Sequence, residues 1–231
     1  MAMIQEFIKY VRQDGFRQGA DPVVIFDVGS RDCLQALEFT RIFPNSRVFS
    51  FECNPNTLDL CRKNIKKCPS VTLVDKAVNL YDGECTFYPI DQQNTVTTWP
   101  DGNPGASSMF KSNGTYSIET YVQTETTVKC TRLETVMEEH GINHVDLFWM
   151  DLQGAELIAL QSMGKYIGNI GYIHTEVSYQ PIYTGQVMFD ELHTFLTENG
   201  YSNMNEPNHY GWQQDIMYKN KNKNNNNNKE V

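Results

Sequence analysis

The 231-residue sequence lacks the glycine signatures by which many α/β proteins hold a phosphorylated ligand. It contains no G-x-G-x-x-G and no G-x-x-x-x-G-K-[ST], so a backbone cradle for pyrophosphate is unsupported and NAD and ATP are disfavoured. A Tyr-x-x-x-Lys pair, as a nicotinamide-dependent oxidoreductase of that type would carry, is also missing. No apolar run approaches the roughly 18–20 residues that cross a bilayer. Met1 to Lys9 does not have the basic-then-apolar layout of a signal peptide, so a soluble, cytoplasmic protein without a membrane partner is expected. Positive charge is scarce: 19 Lys and Arg stand against 28 Asp and Glu, a net charge of −9. The tail Lys219–Val231 holds four Lys and one Glu, or +3, which leaves −12 on the rest. Such a body repels polyanions, and no nucleic-acid partner is expected. None of the six cysteines forms a C-x-x-C pair, which fits free thiols in a reducing compartment better than zinc or disulfides. His140 and His144 are separated by Gly141 at an expected helix end, so no histidine metal site is expected.

What is present is an alternation of strand and helix patterns, which implies a mostly parallel sheet covered on both faces. A leading helix over residues 1–19 is suggested by Ile4, Phe7, Ile8 and Val11 at helical spacing. Val23–Phe26 and Val145–Met150 are continuous apolar runs typical of buried parallel strands. Further strands are expected at 47–52, 71–74, 170–177, 201–204 and 212–218, a count of seven. Asn54 is a plausible N-cap for a helix opened by Pro55. Asp82-Gly83 suggests a hairpin between Val78–Tyr81 and Cys85–Tyr88. Residues 91–115, rich in Gly, Pro, Asn, Ser and Thr, have no period; a loop of that length is functional or disordered. Residues 1–218 form one domain, and the Asn/Lys-rich stretch 219–231 is expected to be disordered.

Ligands of open α/β sheets bind beyond the carboxyl ends of the strands, where strand order reverses. Those ends collect Asp27, Glu52, Asp75, Asp151 and Glu176. One such acid is commonplace near a helix N-terminus; five along one rim suit a cationic ligand better than a phosphate. Gly29 lets the first turn, Asp27-Val28-Gly29-Ser30-Arg31-Asp32-Cys33, bend tightly against a ligand. Glu52, at the end of the second strand, is placed to accept both hydroxyls of a ribose.

The runs Val24–Gly29, Phe49–Pro55 and Asp75–Val78, with Gly105-Ala106-Ser107-Ser108 and Asp151-Leu152-Gln153-Gly154-Ala155-Glu156, resemble the FkbM-type methyltransferases. The resemblance spans about Val23 to Tyr218, and its most specific part is 151–156. One departure is Cys33, where that family tends to have glycine. The resemblance implies a Rossmann-like class I methyltransferase with a seven-stranded, mostly parallel sheet and one antiparallel edge strand, using S-adenosylmethionine. It implies transfer of a methyl group to a hydroxyl, often on a sugar or sugar-containing metabolite. The cofactor set it implies is Asp27, Gly29, Ser30, Arg31, Glu52, Cys53, Asp75, Lys76, Ala77 and Asp151, with Asp27 and Gly29 along the methionine part, Glu52 at the ribose, and Asp75, Lys76 and Ala77 near the adenine.

Methyl transfer from a sulfonium is an in-line displacement, and the incoming hydroxyl must lose a proton to a positioned base. Asp151 and Glu176, each ending a central strand, are the candidates, with Asp151 favoured. His174, two residues before Glu176, is read as a core histidine. Glu156, in the first turn of a helix, has a structural role against the helix dipole. A divalent cation held by Asp151 and Glu176 is an alternative that is not expected. Ser107, Ser108 and Tyr179 are candidates for contact with the substrate, and Trp99, Tyr183 and Trp212 for a stacking wall suited to a sugar ring. The remaining alternatives are a nicotinamide-dependent oxidoreductase and a non-catalytic nucleoside-binding module.

Overall fold

Val23–Val28, Val145–Met150 and Ile170–Ser178 are almost wholly buried because helices cover both faces of the sheet to which they belong. The computed structural model describes residues 2–16, 19 and 21–222. Its elements run α1 (Ala2–Gln13), β1 (Val23–Val28), α2 (Leu34–Ile42), β2 (Ser46–Phe51), α3 (Leu58–Ile65), β3 (Val71–Val74), β4 (Ala77–Val78) and β5 (Gly83–Phe87). They continue with β6 (Thr126–Thr131), α4 (Leu133–Glu139), β7 (Val145–Met150), α5 (Glu156–Ser162), β8 (Ile170–Ser178), α6 (Phe189–Glu198), β9 (Tyr201–Asn203) and β10 (Gln213–Asn220).

The main sheet has the order β3-β2-β1-β7-β8-β10-β9. The strands from β3 to β8 are parallel, and β10 runs antiparallel to both β8 and β9. The reversed strand therefore lies one place in from the edge, with the three-residue β9 outside it. One apolar layer joins α1, α2 and α3 to Ile25, Val48, Leu147 and Trp149; the other joins α4, α5 and α6 to Phe26, Phe49, Phe148 and Ile173. Strand order reverses between β1 and β7, so the crevice lies beyond Val28 and Met150.

Three sequence expectations are corrected. No hairpin forms at Asp82-Gly83: β6 inserts between β4 and β5, pairing parallel with the first and antiparallel with the second. The Asp82 carboxylate instead accepts from the Thr131 and Thr135 hydroxyls and from Arg132 N, tying this small sheet to the start of α4. The leading helix ends at Gln13, after which Phe16 turns inward against Phe43 and Tyr172. Nor does Lys219 begin the tail. Lys219 and Asn220 close β10, where Lys219 pairs with Asp14 and the Asn220 amide donates to Gly168 O and Ile170 O. Residues 223–231 lie outside the described residues. No helix among the described residues is long and apolar enough to cross a membrane.

Candidate active site

The crevice begins at a point where two backbones nearly touch. Gly29 has φ +87°, and a Cβ there would lie 1.9 Å from the Asp151 carbonyl oxygen. Asp151 N donates to Val28 O across the same gap. A residue with a side chain would therefore push β1 and β7 apart at the switch point. Further along the turn, Arg31 and Cys33 take left-handed conformations, with φ of +54° and +61°. Cys33 thus adopts a left-handed backbone of the kind that glycine favours.

Asp27 does not face the crevice. It is fully buried beneath the turn, where its Oδ2 accepts from Ser30 Oγ at 2.5 Å and from Ser50 Oγ at 3.1 Å. Its Oδ1 has no partner, and burial raises its carboxyl to about 6. Asp27 and Ser30 therefore shape the turn from below. The physical reason is the period of two along β1, which sends Asp27 to the α1–α2 face together with Ile25.

A cavity opens beyond the switch point. Gly29, Arg31, Glu52, Cys53, Lys76 and Ala77 all line it, as does Asp151. Glu52 stands at the end of β2, with Oε1 accepting from Asn54 N and Oε2 from Arg31 N, both at 2.7 Å. Each oxygen keeps acceptor capacity for a ligand hydroxyl. Burial pushes the Glu52 carboxyl up to about 7. Asp75 is placed elsewhere: half-exposed, it pairs with Arg62 of α3 at 3.1 Å and does not line the cavity. Only its neighbours Lys76 and Ala77 turn toward the ligand space.

A second chamber adjoins the first and shares Gly29, Arg31, Gly105 and Asp151 with it. Its strand-end wall carries Asp151, Gln153, Glu176 and Gln213. The Gln153 amide donates to Asp151 Oδ1 at 2.6 Å and to Glu176 Oε2 at 3.0 Å, joining the two expected base candidates through one side chain. Gln213 donates to the same Glu176 oxygen at 2.6 Å. Asp151 is solvent-accessible through the cleft, yet the protein around it raises its carboxyl, opposed by the Gln153 hydrogen bond and the Arg31 charge. Glu176 is raised well above the ordinary range, first by burial and then by the charges of Asp151, Asp215 and Glu156.

The opposite wall comes from residues 91–125. They do not dangle: the bridges Tyr88–Ser108, Ile90–Gln123 and Val96–Thr120 fold them over the sheet edge. Glu119, nearly buried, binds the excursion together by accepting from Thr97, from Asn103 at 3.0 Å and from the Tyr121 hydroxyl at 2.7 Å. Trp99, Tyr116 and Tyr121 line the chamber, and the Arg31 guanidinium lies over the Trp99 ring at 5.1 Å while pairing with Asp101.

The substrate candidates fare unevenly. Ser107 lines the first cavity, but its hydroxyl is engaged, donating to Pro104 O and accepting from Ile90 N and the Asn54 amide. Ser108 is buried, donating to Gln153 O and accepting from Phe110 N, so it pins the loop to the 151–156 turn. Tyr179 stands outside both cavities, bonded to Gln214 and packed against Phe189 and His209. Trp212 lies behind Tyr116, and the buried Tyr183 donates to Ala106 O, with its hydroxyl also 3.1 Å from Gln153 Oε1. His174 stacks on Trp149 at 3.5 Å in the core, kept neutral by burial that lowers it to about 3. Glu156 accepts from Leu152 N and Gly154 N, closing the 151–156 turn. Among the described residues, no three His, Cys, Asp or Glu side chains come together to hold a metal ion. Gln153, Glu119, Tyr116, Tyr121 and Gln213 carry no role in the sequence analysis. Only Gln153 had a signal there, its place inside the 151–156 run.

A family model described as Methyltransferase FkbM domain matches residues 27–202. The chain is 27% identical over 175 residues to the 2-O-methyltransferase NoeI of Sinorhizobium fredii (strain NBRC 101917 / NGR234), covering 72% of this chain and 68% of that protein. Among solved structures, a putative rRNA-methylase from Clostridium thermocellum matches with TM-score 0.50 and 12% identity, over 94% of each chain. The METTL16 MTase domain matches with TM-score 0.51 and 8% identity, over 94% of this chain and 67% of that one. At such identities these two structures speak to the fold alone.

Proposed function

Because the chain belongs to the FkbM methyltransferase family, and is thereby an S-adenosylmethionine-dependent methyltransferase, we propose that it methylates a hydroxyl of a sugar or sugar-containing small molecule. The observation that carries this reading is the pair of adjoining cavities, with Asp151 in the wall they share and Glu176 in the second alone. The first suits the cofactor. Glu52 would accept both ribose hydroxyls, and Lys76 and Ala77 would border the adenine. Gly29 and Asp151 would lie along the methionine part, where the acid meets the charge of the ammonium and sulfonium groups. When bound, the cofactor supplies an electrophilic methyl group on a positively charged sulfur.

The second chamber suits a polyhydroxylated acceptor. Trp99, Tyr116 and Tyr121 offer ring faces for the apolar side of a sugar, and Gln153, Gln213 and Glu176 offer polar groups for its hydroxyls. Similarity to a 2-O-methyltransferase supports oxygen as the methylated atom. The carboxylate pair Asp151–Glu176 takes the hydroxyl proton as the oxygen–methyl bond forms and the methyl–sulfur bond breaks, giving a methyl ether and S-adenosylhomocysteine. Acidic lining without a free basic patch argues against a nucleic-acid acceptor.

The test is transfer of isotope-labelled methyl from S-adenosylmethionine to a panel of sugars and glycosides, with analysis of the products. A methyl ether is expected, with roughly 10²-fold or greater loss of turnover in Asp151→Asn or Glu176→Gln, and near-normal cofactor affinity in Glu176→Gln. Labelled product on nitrogen or sulfur alone, or methylation of RNA in place of every sugar, would overturn the reading. Full activity in excess EDTA is expected as well.

A further inference from the structure

Glu176 faces a second acid that the mechanism so far leaves unused. On β10, Asp215 is paired in register with Glu176 of β8, so the two side chains project from the same face of the sheet directly opposite one another. Like charges at such a position destabilise a strand pair, and a sheet built for stability alone would place something else there. On the other side, Met150 pairs with Thr175, which puts Asp151 at the next step beside Glu176. Three carboxyl groups thus stand abreast across β7, β8 and β10.

Their partners differ. Asp151 has the Arg31 charge and a Gln153 hydrogen bond, and Glu176 has the Gln153 and Gln213 amides. The Asp215 side chain is two-thirds buried, and His174 Nε2 lies 3.6 Å from its carboxylate, beyond hydrogen-bonding reach. His174 is itself buried with both ring nitrogens unpartnered, and it stays neutral. Among the described residues no hydrogen bond to its carboxylate explains the presence of Asp215, and it does not line the chamber.

We propose that Asp215 is a positioning residue for the proton transfer: its carboxylate, fixed directly across from Glu176, makes Glu176 the group that takes the proton of the acceptor hydroxyl. The inference rests on the acceptor reading of the second chamber. Around Glu176 the charges are asymmetric. Asp151 from the β7–α5 turn, Glu156 from α5 and Asp215 from β10 all favour its protonated form. Tyr116 and Tyr121 of the loop and Tyr183 after β8 face it uncharged. Glu119 and Arg31 line the same chamber, Arg31 acting on Asp151, while Glu6 of α1 acts on Asp215. Asp151, beside the guanidinium, is the member whose carboxylate form a neighbouring positive charge favours. Glu176, with acids on both flanks, is the one that gains from accepting a proton.

The experiment is a carboxyl ¹³C NMR titration of glutamate-labelled protein saturated with S-adenosylhomocysteine, with the Glu176 signal identified by its loss in Glu176→Gln. In Asp215→Asn the Glu176 midpoint is expected to fall by about one pH unit, a ten-fold loss of proton affinity, and Asp215→Glu is expected to restore it. In methyl transfer to a sugar from the panel, the acidic limb of the kcat/KM profile should move down in pH by the same amount. The KM for S-adenosylmethionine should be unchanged. Asp215→Asn is nearly isosteric and relieves a repulsion, so its thermal midpoint should equal or exceed that of the parent; a merely structural Asp215 would lower it. An unmoved Glu176 titration overturns the proposal at Asp215 itself. A moved titration with no sugar methylated by either protein overturns it through its premise, the acceptor reading.

Discussion

The two halves of the crevice are built by different means. The cofactor half is assembled mainly from short turns directly after β1, β2 and β3 and from the 151–156 turn, each placed by the strand before it, with Pro104, Gly105, Ser107 and Met109 of the loop closing it. The acceptor half draws one wall from three strand ends well separated in sequence, Asp151, Glu176 and Gln213, and the other from residues 99–121, outside the regular strands. One half is set by backbone geometry and the other by side-chain hydrogen bonds. The lesson is that a ligand common to a fold can be held by local turns, whereas the acceptor is selected by long-range contacts that a loop is free to change.

Substitutions should separate the halves. The largest effect is expected at Gly29→Ala, where the new Cβ would meet the Asp151 carbonyl at 1.9 Å. Relief requires moving β1 from β7, so a stability loss of about 2–4 kcal/mol and loss of cofactor binding are expected in thermal unfolding and calorimetry. Retained cofactor affinity in that variant would break the claim that backbone approach sets this half.

Glu52→Gln should come next. Replacing a carboxylate that receives two ribose hydroxyls removes charge-assisted bonds, so cofactor Kd should rise roughly 10- to 100-fold while acceptor KM stays put. Glu119→Gln should do the reverse, raising acceptor KM by roughly three- to ten-fold through a loosened Thr97–Asn103–Tyr121 wall, with cofactor Kd unchanged. If both variants moved both constants alike, the two halves would be one energetic unit.

The last effect is in pH. Glu52 rises from 4.5 to about 7 on folding and Asp27 from 3.8 to about 6, both through burial. Each binds its proton more tightly folded than unfolded, so its contribution to stability is present below the unfolded value and is lost as pH rises through the folded one. Stability of the cofactor-free protein should therefore decline from about pH 4 toward pH 7. Cofactor affinity should tighten over the upper part of that range, because the ribose hydroxyls favour ionised Glu52. Denaturant unfolding across pH, repeated on Glu52→Gln, reads the difference; an identical slope in both proteins would exclude Glu52 as a contributor.

The same division explains what the sequence revealed. Continuous apolar runs marked β1 and β7, and an acid or glycine just past each strand end marked Gly29, Glu52 and Asp151. Proximity in sequence did not reveal direction. Asp27 is one pleat away from the crevice and Asp75 is turned out to Arg62, although both end strands on the same rim. The hairpin at Asp82-Gly83 failed because Thr131, Arg132 and Thr135 compete for the turn's carboxylate from fifty residues away. Ser107 and Ser108 looked like ligand contacts, but the loop needs their hydroxyls to hold its own shape. Glu119, Tyr116 and Tyr121 sit in an aperiodic stretch, where nothing local distinguishes a wall residue from a solvated one.

The most direct measurement is a crystal structure with S-adenosylmethionine or its sulfonium analogue bound. The account predicts ribose hydroxyls on Glu52, the adenine beside Lys76 and Ala77, and the sulfur near Asp151 with its methyl directed into the chamber bounded by Glu176 and Gln153. A cofactor whose methyl points away from Glu176, or whose ribose leaves Glu52 unengaged, would contradict it.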